Sequence, residues 1–230
     1  MISRNKCVVL LSGGLDSAVT LALAIDKGFD CYVLSFDYGQ RHRIEIDYAT
    51  RLCNKLDVKY HKIFNIDMRF GGDSALTGNS EVPAANAKNT GIPLTYVPAR
   101  NSVFLSIATA WAETIGASDI FIGANSADYN GYPDCRPEYF SAFENVINLG
   151  TKAGITKEGF RIRTPLIKLS KTEIIALGLK LGISHELTFS CYNPIGSKRC
   201  GVCDACVLMS DGINAMRSTQ FIGSKPGSSQ

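Results

Sequence analysis

The sequence predicts a doubly wound α/β fold, in which a parallel sheet carries helices on both faces, followed by a small cysteine-rich region of helix and loop. Short apolar runs of strand type alternate with longer segments of helical periodicity. A glycine-rich turn joins the first such run to the first helix, and no internal repeat is present. Alternation of this kind is typical of parallel sheets, because each strand needs a crossover helix to reach the next strand.

The predicted elements follow one another regularly along the chain. The runs of strand type are 7–11, 31–36, 59–66, 119–123 and 161–164. The segments with helical spacing are 17–27, 43–55, 101–115, 137–149 and 170–181. The last of these opens with a Ser-x-x-Glu capping box. Two stretches, 68–98 and 124–137, show no sustained helical or strand periodicity of apolar residues, and we expect functional loops there.

Length and charge limit the possible classes of protein. The chain has 230 residues, enough for one large α/β domain with a small appendage. Its 24 Lys and Arg against 21 Asp and Glu give a net charge of +3, which is not the strongly basic balance of a nucleic-acid-binding protein, and we expect no nucleic-acid partner. The apolar run 7–11 is far shorter than the ~20 residues of a membrane span. We therefore expect a cytoplasmic protein that does not enter a membrane.

The eight cysteines fall into two sets. Four are scattered, namely Cys7, Cys31, Cys53 and Cys135, and four lie within sixteen positions, namely Cys191, Cys200, Cys203 and Cys206. In a chain without an export signal, the pattern C-x8-C-x2-C-x2-C favours metal ligation over disulfides. Four thiolates form the closed tetrahedral shell of a structural Zn²⁺ site. An iron–sulfur cluster is the alternative, although the C-x3-C-P ending of bacterial ferredoxins is absent.

The glycine-rich turn, called the phosphate loop below, has the sequence Ser12-Gly13-Gly14-Leu15-Asp16-Ser17. Glycines let backbone amides approach phosphate oxygens, and a helix N-terminus adds unpaired N–H donors and the positive end of its dipole. The turn has neither the lysine of a Walker loop nor the glycine spacing of a dinucleotide fingerprint. The alternative is a plain helix cap formed by Asp16 and Ser17.

The SGGxDS pattern resembles the loop of the N-type ATP pyrophosphatases, the PP-loop family. The resemblance implies an adenine nucleotide alpha hydrolase-like fold and cleavage of ATP between its α and β phosphates. An acceptor oxygen then becomes an adenylate, from which a nitrogen or sulfur nucleophile displaces AMP. Asp16 would bind Mg²⁺ or orient the loop, and Lys168 would supply the missing cation unless it is only a solvated lysine. The implied ATP-binding residues are Leu10, Leu11, Ser12, Gly13, Gly14, Leu15, Asp16, Ser17, Ala18, Val19, Thr20, Asp37 and Tyr38.

Four further motifs narrow the resemblance to the 7-cyano-7-deazaguanine synthase family, over essentially the whole chain. They are FDYGQRH (36–42), VPARN (97–101), GYPDCRP (131–137) and TFSCYNP (188–194). This resemblance implies that ATP drives the conversion of 7-carboxy-7-deazaguanine and ammonia into the nitrile, through an adenylated acid and an amide. It also implies a homodimer with one structural zinc ion per subunit. No glutaminase domain fits in the remaining length, so we expect free ammonia to be used.

The loop 125–136, called the acceptor loop below, is expected to line the substrate pocket. The residues after the first and fourth strands flank the switch-point crevice of a doubly wound sheet. A guanine-like edge offers an N–H and an amino group, which either Asp128 or Asp134 would accept, unless these are turn residues. Arg136 or Arg100 would clamp the substrate carboxylate. The predicted substrate-binding residues are Arg100, Asn125, Asp128, Tyr132, Asp134 and Arg136.

Three residues are predicted to be catalytic, namely Asp16, Lys168 and Arg136. Tyr132 either stacks on the substrate ring or only packs. His42 and His185 receive no role, because histidines at such positions are more often surface or core residues than catalysts.

Two other functions stay open at this point. A tRNA thiolase or lysidine synthetase-like enzyme would share SGGxDS but would be expected to carry an RNA-binding domain or a basic face, and neither is evident. A non-enzymatic zinc-ribbon module would explain only the cysteines. We expect residues 1–183 to form the α/β domain, 184–216 the zinc-binding region and 217–230 a flexible tail.

Overall fold

The computed structural model describes residues 5–85, 91–128, 131–156 and 159–222. Within these residues the strands are β1 (Lys6–Leu10), β2 (Asp30–Asp37), β3 (Tyr60–Asn65), β4 (Asp119–Phe121) and β5 (Arg161–Arg163). The helices are α1 (Leu15–Asp26), α2 (Ile44–Lys55), α3 (Arg100–Ile115), α4 (Pro137–Gly150), α5 (Lys152–Thr156), α6 (Lys171–Lys180) and α7 (Asp204–Ile222). All ten predicted elements are present, with ends shifted by two residues or fewer.

The described strands form one parallel sheet in the order β3-β2-β1-β4-β5. β1 lies in the middle, with Val9 opposite Val33 of β2 on one side and Val8 opposite Ile120 of β4 on the other. The chain builds outward from β1 to β3 and then returns to the far side of β1 for β4. The carboxyl ends of β1 and β4 therefore adjoin at the switch point, where doubly wound proteins bind ligands. The predicted fold class is confirmed.

The side chains of β1 point alternately to the two faces of the sheet. Cys7 and Val9 belong to a hydrophobic cluster with residues of α1 and α6, while Val8 and Leu10 belong to a cluster with residues of α3 and α4. All four side chains are buried. A parallel strand that is covered on both faces thus has an unbroken apolar sequence instead of an alternating one.

The C-terminal helix α7 packs against α6 through Gly212. A Cβ atom at position 212 would lie 2.6 Å from Cδ1 of Ile175 and 3.2 Å from Cγ of Lys171, so glycine allows the two helices to approach closely. Met209 joins the cluster formed with α1 and α6. The helix continues through 217–222, residues assigned above to the tail, and 223–230 lie outside the described residues.

The two stretches expected to be functional loops contain little regular structure in their described parts. A 3₁₀ turn at Pro133–Cys135 lies within the acceptor loop. Residues 86–90 of the first stretch and 129–130 of the second lie outside the described residues. None of the described helices combines the length and apolar character that crossing a membrane requires.

Candidate active site

A cavity of about 240 Å³ opens at the carboxyl ends of β1 and β4. Its wall is formed by the phosphate loop, by residues between 122 and 128 after β4, and by the first turns of α3 and α6. The segment 189–192, which contains the first cysteine of the pattern, closes another side. Segments that are far apart in the sequence thus meet at the switch point.

The phosphate loop turns tightly between β1 and α1. Gly13 has a φ of +94°, and a Cβ atom there would collide with the carbonyl oxygen of Glu45, so glycine is required at this position. The hydroxyl groups of Ser12 and Ser17 lie 3.1 Å apart, and Ser12 Oγ accepts a hydrogen bond from the Gly14 amide at 3.2 Å. The loop therefore brings two hydroxyl groups to the N-terminus of a helix, an arrangement that suits a bound phosphate.

Asp16 lines the cavity and does not cap α1, whose N-cap is Gly14. Its two carboxylate oxygens each accept a hydrogen bond from Lys171 Nζ at 2.7 Å, and one also accepts from Asn125 Nδ2 at 3.0 Å. A Cβ atom at Gly123 would lie 2.9 Å from the Asp16 carbonyl oxygen. Glycine therefore permits the chain after β4 to approach the first turn of α1 closely. Carboxylate oxygens are ligands that Mg²⁺ prefers, and the expected role of Asp16 in binding Mg²⁺ or orienting the loop stays a prediction.

The structure brings Lys171, and not Lys168, to the phosphate loop. Lys168 is exposed on the turn before α6 and does not line the cavity. The Lys171 side chain is only 16% exposed and forms the ion pair with Asp16. Both lysines belong to one Lys-Leu-Ser-Lys segment, and the start of α6 decides which of them faces the cavity. The predicted capping box of Ser170 and Glu173 sets that start. The sequence alone does not show which of the two lysine side chains then points into the cavity.

The two candidate aspartates of the acceptor loop lie in different environments. Asp128 lines the cavity, and its Oδ2 atom accepts a hydrogen bond from the Asn125 amide at 3.1 Å. Burial and the negative charge of Asp16 raise the pKa of Asp128 to about 6, so the carboxylate is still ionised at neutral pH. Asp134 is buried but does not line the cavity, and its Oδ2 atom accepts a hydrogen bond from the Asn101 amide at 3.0 Å. It thereby caps the first turn of α3.

The two candidate arginines are separated in the same way. Arg100, the first residue of α3, lines the cavity and donates a hydrogen bond to the Tyr38 hydroxyl at 3.3 Å. Arg136 is exposed at the N-cap of α4 and does not line the cavity. Tyr132 does line it, and its hydroxyl lies 2.6 Å from that of Thr95, a contact that fixes the ring at the cavity wall.

Most of the predicted ATP-binding residues lie at the cavity. Those that line it are Leu10, Leu11, Ser12, Gly14, Leu15, Asp16, Ser17 and Tyr38. Those buried inside α1 are Ala18, Val19 and Thr20. Asp37 does not line the cavity, and its carboxylate pairs with Arg43 at 2.7 Å. Leu34 and Phe36 of β2, neither of which was predicted to bind ATP, form an apolar part of the cavity wall beside the phosphate loop.

A buried polar cluster of Gln40, His42 and Glu45 also adjoins the cavity. Gln40 Nε2 donates a hydrogen bond to Glu45 Oε1 at 3.2 Å, and His42 Nε2 lies 3.4 Å from the same oxygen. Burial and the positive charge of Arg100 lower the pKa of His42 to about 3, whereas burial raises the pKa of Glu45 to about 8. The imidazole is therefore neutral at physiological pH. The motif FDYGQRH contains two of these residues, but its sequence does not show that they are buried at the site.

The four clustered cysteines converge on one point. Their Sγ atoms all lie within 4.8 Å of one another. Tetrahedral Zn²⁺ with bonds of about 2.3 Å holds its sulfur ligands about 3.8 Å apart, so the four thiols fit such an ion. The Cys200 amide donates to Cys191 Sγ at 3.2 Å and the Cys203 amide to Cys200 Sγ at 3.4 Å, as is common around ligating thiolates. The set can hold a metal ion, and the choice of zinc stays a prediction.

The segment 188–191 joins the cysteine cluster to the phosphate loop. The Phe189 amide donates a hydrogen bond to the Gly13 carbonyl at 2.8 Å. Ser190 Oγ accepts one from the Leu15 amide at 3.1 Å, and Cys191 follows directly. The cysteine cluster therefore helps to fix one side of the phosphate loop, a link that the separate motifs do not show.

Known proteins of one family are similar to this chain over nearly its whole length. The family model described as "Queuosine biosynthesis protein QueC" matches residues 6–217. The 7-cyano-7-deazaguanine synthase of Stutzerimonas stutzeri (strain A1501) is 52% identical over 213 residues, which cover 92% of this chain and 95% of that protein. The protein of the same name from Ectopseudomonas mendocina (strain ymp) is 52% identical over 215 residues, with coverages of 93% and 96%.

Solved structures of other proteins resemble the chain more remotely. The NMN synthetase of Francisella tularensis aligns with a TM-score of 0.47 and 14% identity, covering 100% of this chain and 90% of that one. The NH3-dependent NAD synthetase of Campylobacter jejuni aligns with a TM-score of 0.47 and 16% identity, covering 100% and 91%. The family match and the close curated relatives are decisive: the chain belongs to the QueC family of queuosine biosynthesis proteins.

Proposed function

We propose that this protein is an ATP-dependent ligase that converts 7-carboxy-7-deazaguanine and ammonia into 7-cyano-7-deazaguanine, through an adenylated acid and an amide. The observation that carries the proposal is that the phosphate loop and the polar acceptor loop open into one cavity. An acid bound on one side would lie next to ATP bound on the other. The curated relatives, which are named 7-cyano-7-deazaguanine synthases, indicate which acid to test.

On the nucleotide side, the amides and hydroxyls of the phosphate loop bind the β and γ phosphates that leave as pyrophosphate. Mg²⁺ held by Asp16 would neutralise phosphate charge and orient the nucleotide. Lys171 takes the role expected of Lys168, because its ammonium group already lies 2.7 Å from Asp16 at the cavity. Leu34 and Phe36 supply an apolar wall for the adenine. The α phosphate is then exposed to attack by the substrate carboxylate.

On the acceptor side, Asp128 accepts the N–H and amino group of the deazapurine edge, in preference to Asp134, which caps α3. Arg100 binds the substrate carboxylate, in preference to the exposed Arg136, because Arg100 lines the cavity. A planar guanidinium offers paired N–H donors that match a carboxylate. Tyr132 lies beside the ring.

The chemistry needs two activations of oxygen. The carboxylate oxygen first attacks the α phosphate of ATP and pyrophosphate leaves. Ammonia then attacks the acyl carbon, the C–O bond to AMP breaks, and nitrogen loses one proton. A second ATP activates the amide oxygen in the same way, with release of pyrophosphate, after which loss of AMP and of both protons from nitrogen forms the nitrile. Reuse of one cavity requires no further binding site.

We also propose that the cysteine cluster holds one structural zinc ion in each subunit of a cytoplasmic homodimer. A closed shell of four thiolates leaves no coordination position for substrate, which supports a structural role. Cys191 belongs to the segment 188–191, which forms hydrogen bonds with the phosphate loop. A metal ion bound by Cys191 would therefore also stabilise the active site.

The proposal is tested by ATP–pyrophosphate exchange that depends on 7-carboxy-7-deazaguanine. The unsubstituted enzyme should exchange labelled pyrophosphate into ATP only when the acid and Mg²⁺ are present. Lys171→Met should lower the exchange rate by about 100-fold or more, because a phosphate-side cation is lost. Lys168→Met provides the matched control and should retain the rate within about twofold, because an exposed lysine outside the cavity is removed. Exchange without the acid, or an equal loss in both variants, would contradict the proposal.

A further inference from the structure

The sheet has an unpaired edge at β3, a strand that takes no part in the cavity. β3 comes first in the strand order, so that among the described residues only β2 pairs with it. Five of its six residues are exposed. They include the apolar side chains of Tyr60, Ile63 and Phe64, which are 47%, 44% and 43% exposed. An edge strand of this kind is a template for pairing with another strand.

The opposite edge of the sheet is protected against such pairing. β5 spans only the three residues Arg161–Arg163 and carries an arginine at each end. Short length and charge are two means by which proteins keep an edge strand from pairing. β3 is twice as long, contains no proline and has one lysine, Lys62. Of the two edges, β3 is therefore the one suited to an interface.

The hydrogen bonds to β2 show which backbone groups of β3 face outward. Ile66, directly after β3, donates from its amide to the carbonyl of Asp37 in β2 at 2.9 Å. Successive residues of a strand direct their amide and carbonyl groups to opposite sides, so every second residue back from Ile66 also faces β2. The residues whose amides and carbonyls face outward, with no hydrogen-bond partner among the described residues, are His61, Ile63 and Asn65.

A second copy of β3 fits this edge best in one register. A twofold axis perpendicular to the sheet makes the two edge strands antiparallel, and outward-facing residues then lie opposite one another. With Ile63 opposite Ile63 of the partner subunit, all three outward-facing residues form hydrogen-bonded pairs, and Lys62 lies opposite an aromatic ring, that of Phe64. With Lys62 opposite its own equivalent, two like charges meet and Asn65 has no partner within the strand.

We propose that β3 is the interface of a homodimer, in which the two copies of β3 pair antiparallel about Ile63 and join the two sheets into one. The inference rests on the homodimer proposed above and names its interface, and it does not depend on the reaction. The occupant is a second copy because the edge is complementary to itself: isoleucine meets isoleucine, and lysine meets an aromatic ring. The cavity stays open in this dimer, since no residue of β3 lines it.

Charges placed at the twofold axis test the interface. Ile63→Asp and Ile63→Lys each put like charges opposite one another, and either should raise the dissociation constant of the dimer by about 100-fold or more. Sedimentation equilibrium should give twice the mass of one chain for the unsubstituted protein and mainly the mass of one chain for each variant. A mixture of the two variants puts opposite charges together and should recover the dimer. That recovery also shows that both variants are folded.

The matched control makes the same kind of change on another surface. Leu149, in α4, is 81% exposed and apolar, so Leu149→Asp replaces an exposed apolar side chain away from β3. It should leave the mass and the dissociation constant unchanged within about twofold.

Disulfide formation tests the register without adding charge. A hydrogen-bonded antiparallel pair holds its Cα atoms about 5.5 Å apart, a distance that a disulfide spans. Ile63→Cys should therefore form a covalent dimer on mild oxidation. Lys62→Cys should not, because the two copies of position 62 are diagonal neighbours about 7–8 Å apart. An equimolar mixture of Lys62→Cys and Phe64→Cys should cross-link, since these positions lie opposite one another. The unsubstituted protein shows the background from its own eight cysteines.

The outcomes distinguish this inference from the proposals on which the article has already drawn. A monomeric unsubstituted protein would overturn the proposed homodimer, and this inference with it, whatever the activity. A dimer that persists in both charge variants, or that dissociates with Leu149→Asp instead, would overturn this inference alone. Cross-linking of Lys62→Cys without cross-linking of Ile63→Cys would overturn the pairing about Ile63. Absence of acid-dependent exchange would overturn the proposed reaction and leave the interface standing.

Discussion

At the scale of single residues, the Asp16 carboxylate connects polar side chains from three parts of the cavity wall. This carboxylate is held by Lys171 and Asn125, and its negative charge contributes to the raised pKa of Asp128. The ionisation of Asp128 therefore depends on the charge at Asp16. Binding of MgATP at Asp16 would lower the negative potential at Asp128 and favour its ionised form.

Asp128 should control recognition of the acid, whereas Asp134 should control stability. Asp128→Asn exchanges one acceptor oxygen for a donor that faces the N–H groups of the substrate. Its kcat/KM for the acid should fall by roughly ten- to a few hundred-fold, the range for buried unpaired groups. Asp134→Asn should retain kcat/KM within about fivefold but lower the free energy of unfolding by about 1 kcal/mol, because it weakens the cap of α3. Steady-state kinetics and denaturant unfolding measure the two effects, and a larger kinetic loss in Asp134→Asn would reverse the assignment.

The pH dependence follows from the direction of the Asp128 shift. Above about pH 6 the Asp128 carboxylate is ionised and accepts hydrogen bonds, and below that pH it is protonated and presents a donor. The kcat/KM for the acid should therefore fall as the pH drops through about 6 in the unsubstituted enzyme. This acid limb should be absent from Asp128→Asn and present in Asp134→Asn.

Residue types at the site could be predicted from sequence, but the choice between near neighbours could not. An acid and an arginine at the acceptor side and a lysine near the phosphates were all expected. Which residue of each pair lines the cavity depends on turn direction and helix phase, as the contrast between Lys168 and Lys171 shows. The His42 cluster was missed because burial of a polar group beside a cavity has no local sequence signal.

At the scale of elements, the segment 188–191 joins the cysteine cluster to the phosphate loop. It contributes two hydrogen bonds to the phosphate loop and ends at the first clustered cysteine. Arg199, next to Cys200, donates to the Thr188 carbonyl at 2.6 Å and holds the other end of the segment. Loss of the metal should therefore disturb the loop as well as the C-terminal region.

Cys203→Ser should lose the bound metal, lower Tm and slow acid-dependent exchange. Structural zinc contributes on the order of 10 kcal/mol to the folding of small peptides, and less where a large core exists. Cys53→Ser is the matched control, since it makes the same change at a buried thiol of the core outside the cluster. Metal analysis, thermal unfolding and exchange are compared in the two variants. Normal metal content and normal exchange in Cys203→Ser would show that the cluster does not serve this role.

Elements with clear periodicity were predicted, and those set by tertiary packing were not. The strands β1 and β2 are continuous apolar runs, the helices between the strands have clear helical spacing, and the predicted ends agree closely with the structure. The short helix α5, at Lys152–Thr156, has no buried residue and so lacks an apolar face to recognise. In α7 the glycine at position 212 reads as a helix breaker, yet it is the point at which α6 approaches closely.

At the scale of the whole molecule, the strand order would allow one cavity to serve both halves of the proposed reaction. The return of the chain from β3 to β4 across β1 puts the phosphate loop and the acceptor loop at adjacent strand ends. The helix α3, which begins between them in sequence, adds Arg100 to the same space. Activation of the acid and its amidation thus need no movement of the intermediate between distant sites.

The central claim is that this one site turns the acid into a nitrile in two activated steps. The most direct test is mass spectrometry of the products formed from 7-carboxy-7-deazaguanine, ATP, Mg²⁺ and ammonium, and then from the corresponding amide without ammonium. The account predicts the nitrile from both starting materials, the amide as a transient species from the acid, and parallel loss of both reactions in Lys171→Met. No reaction of the acid, with turnover of another carboxylate or of tRNA instead, would contradict it.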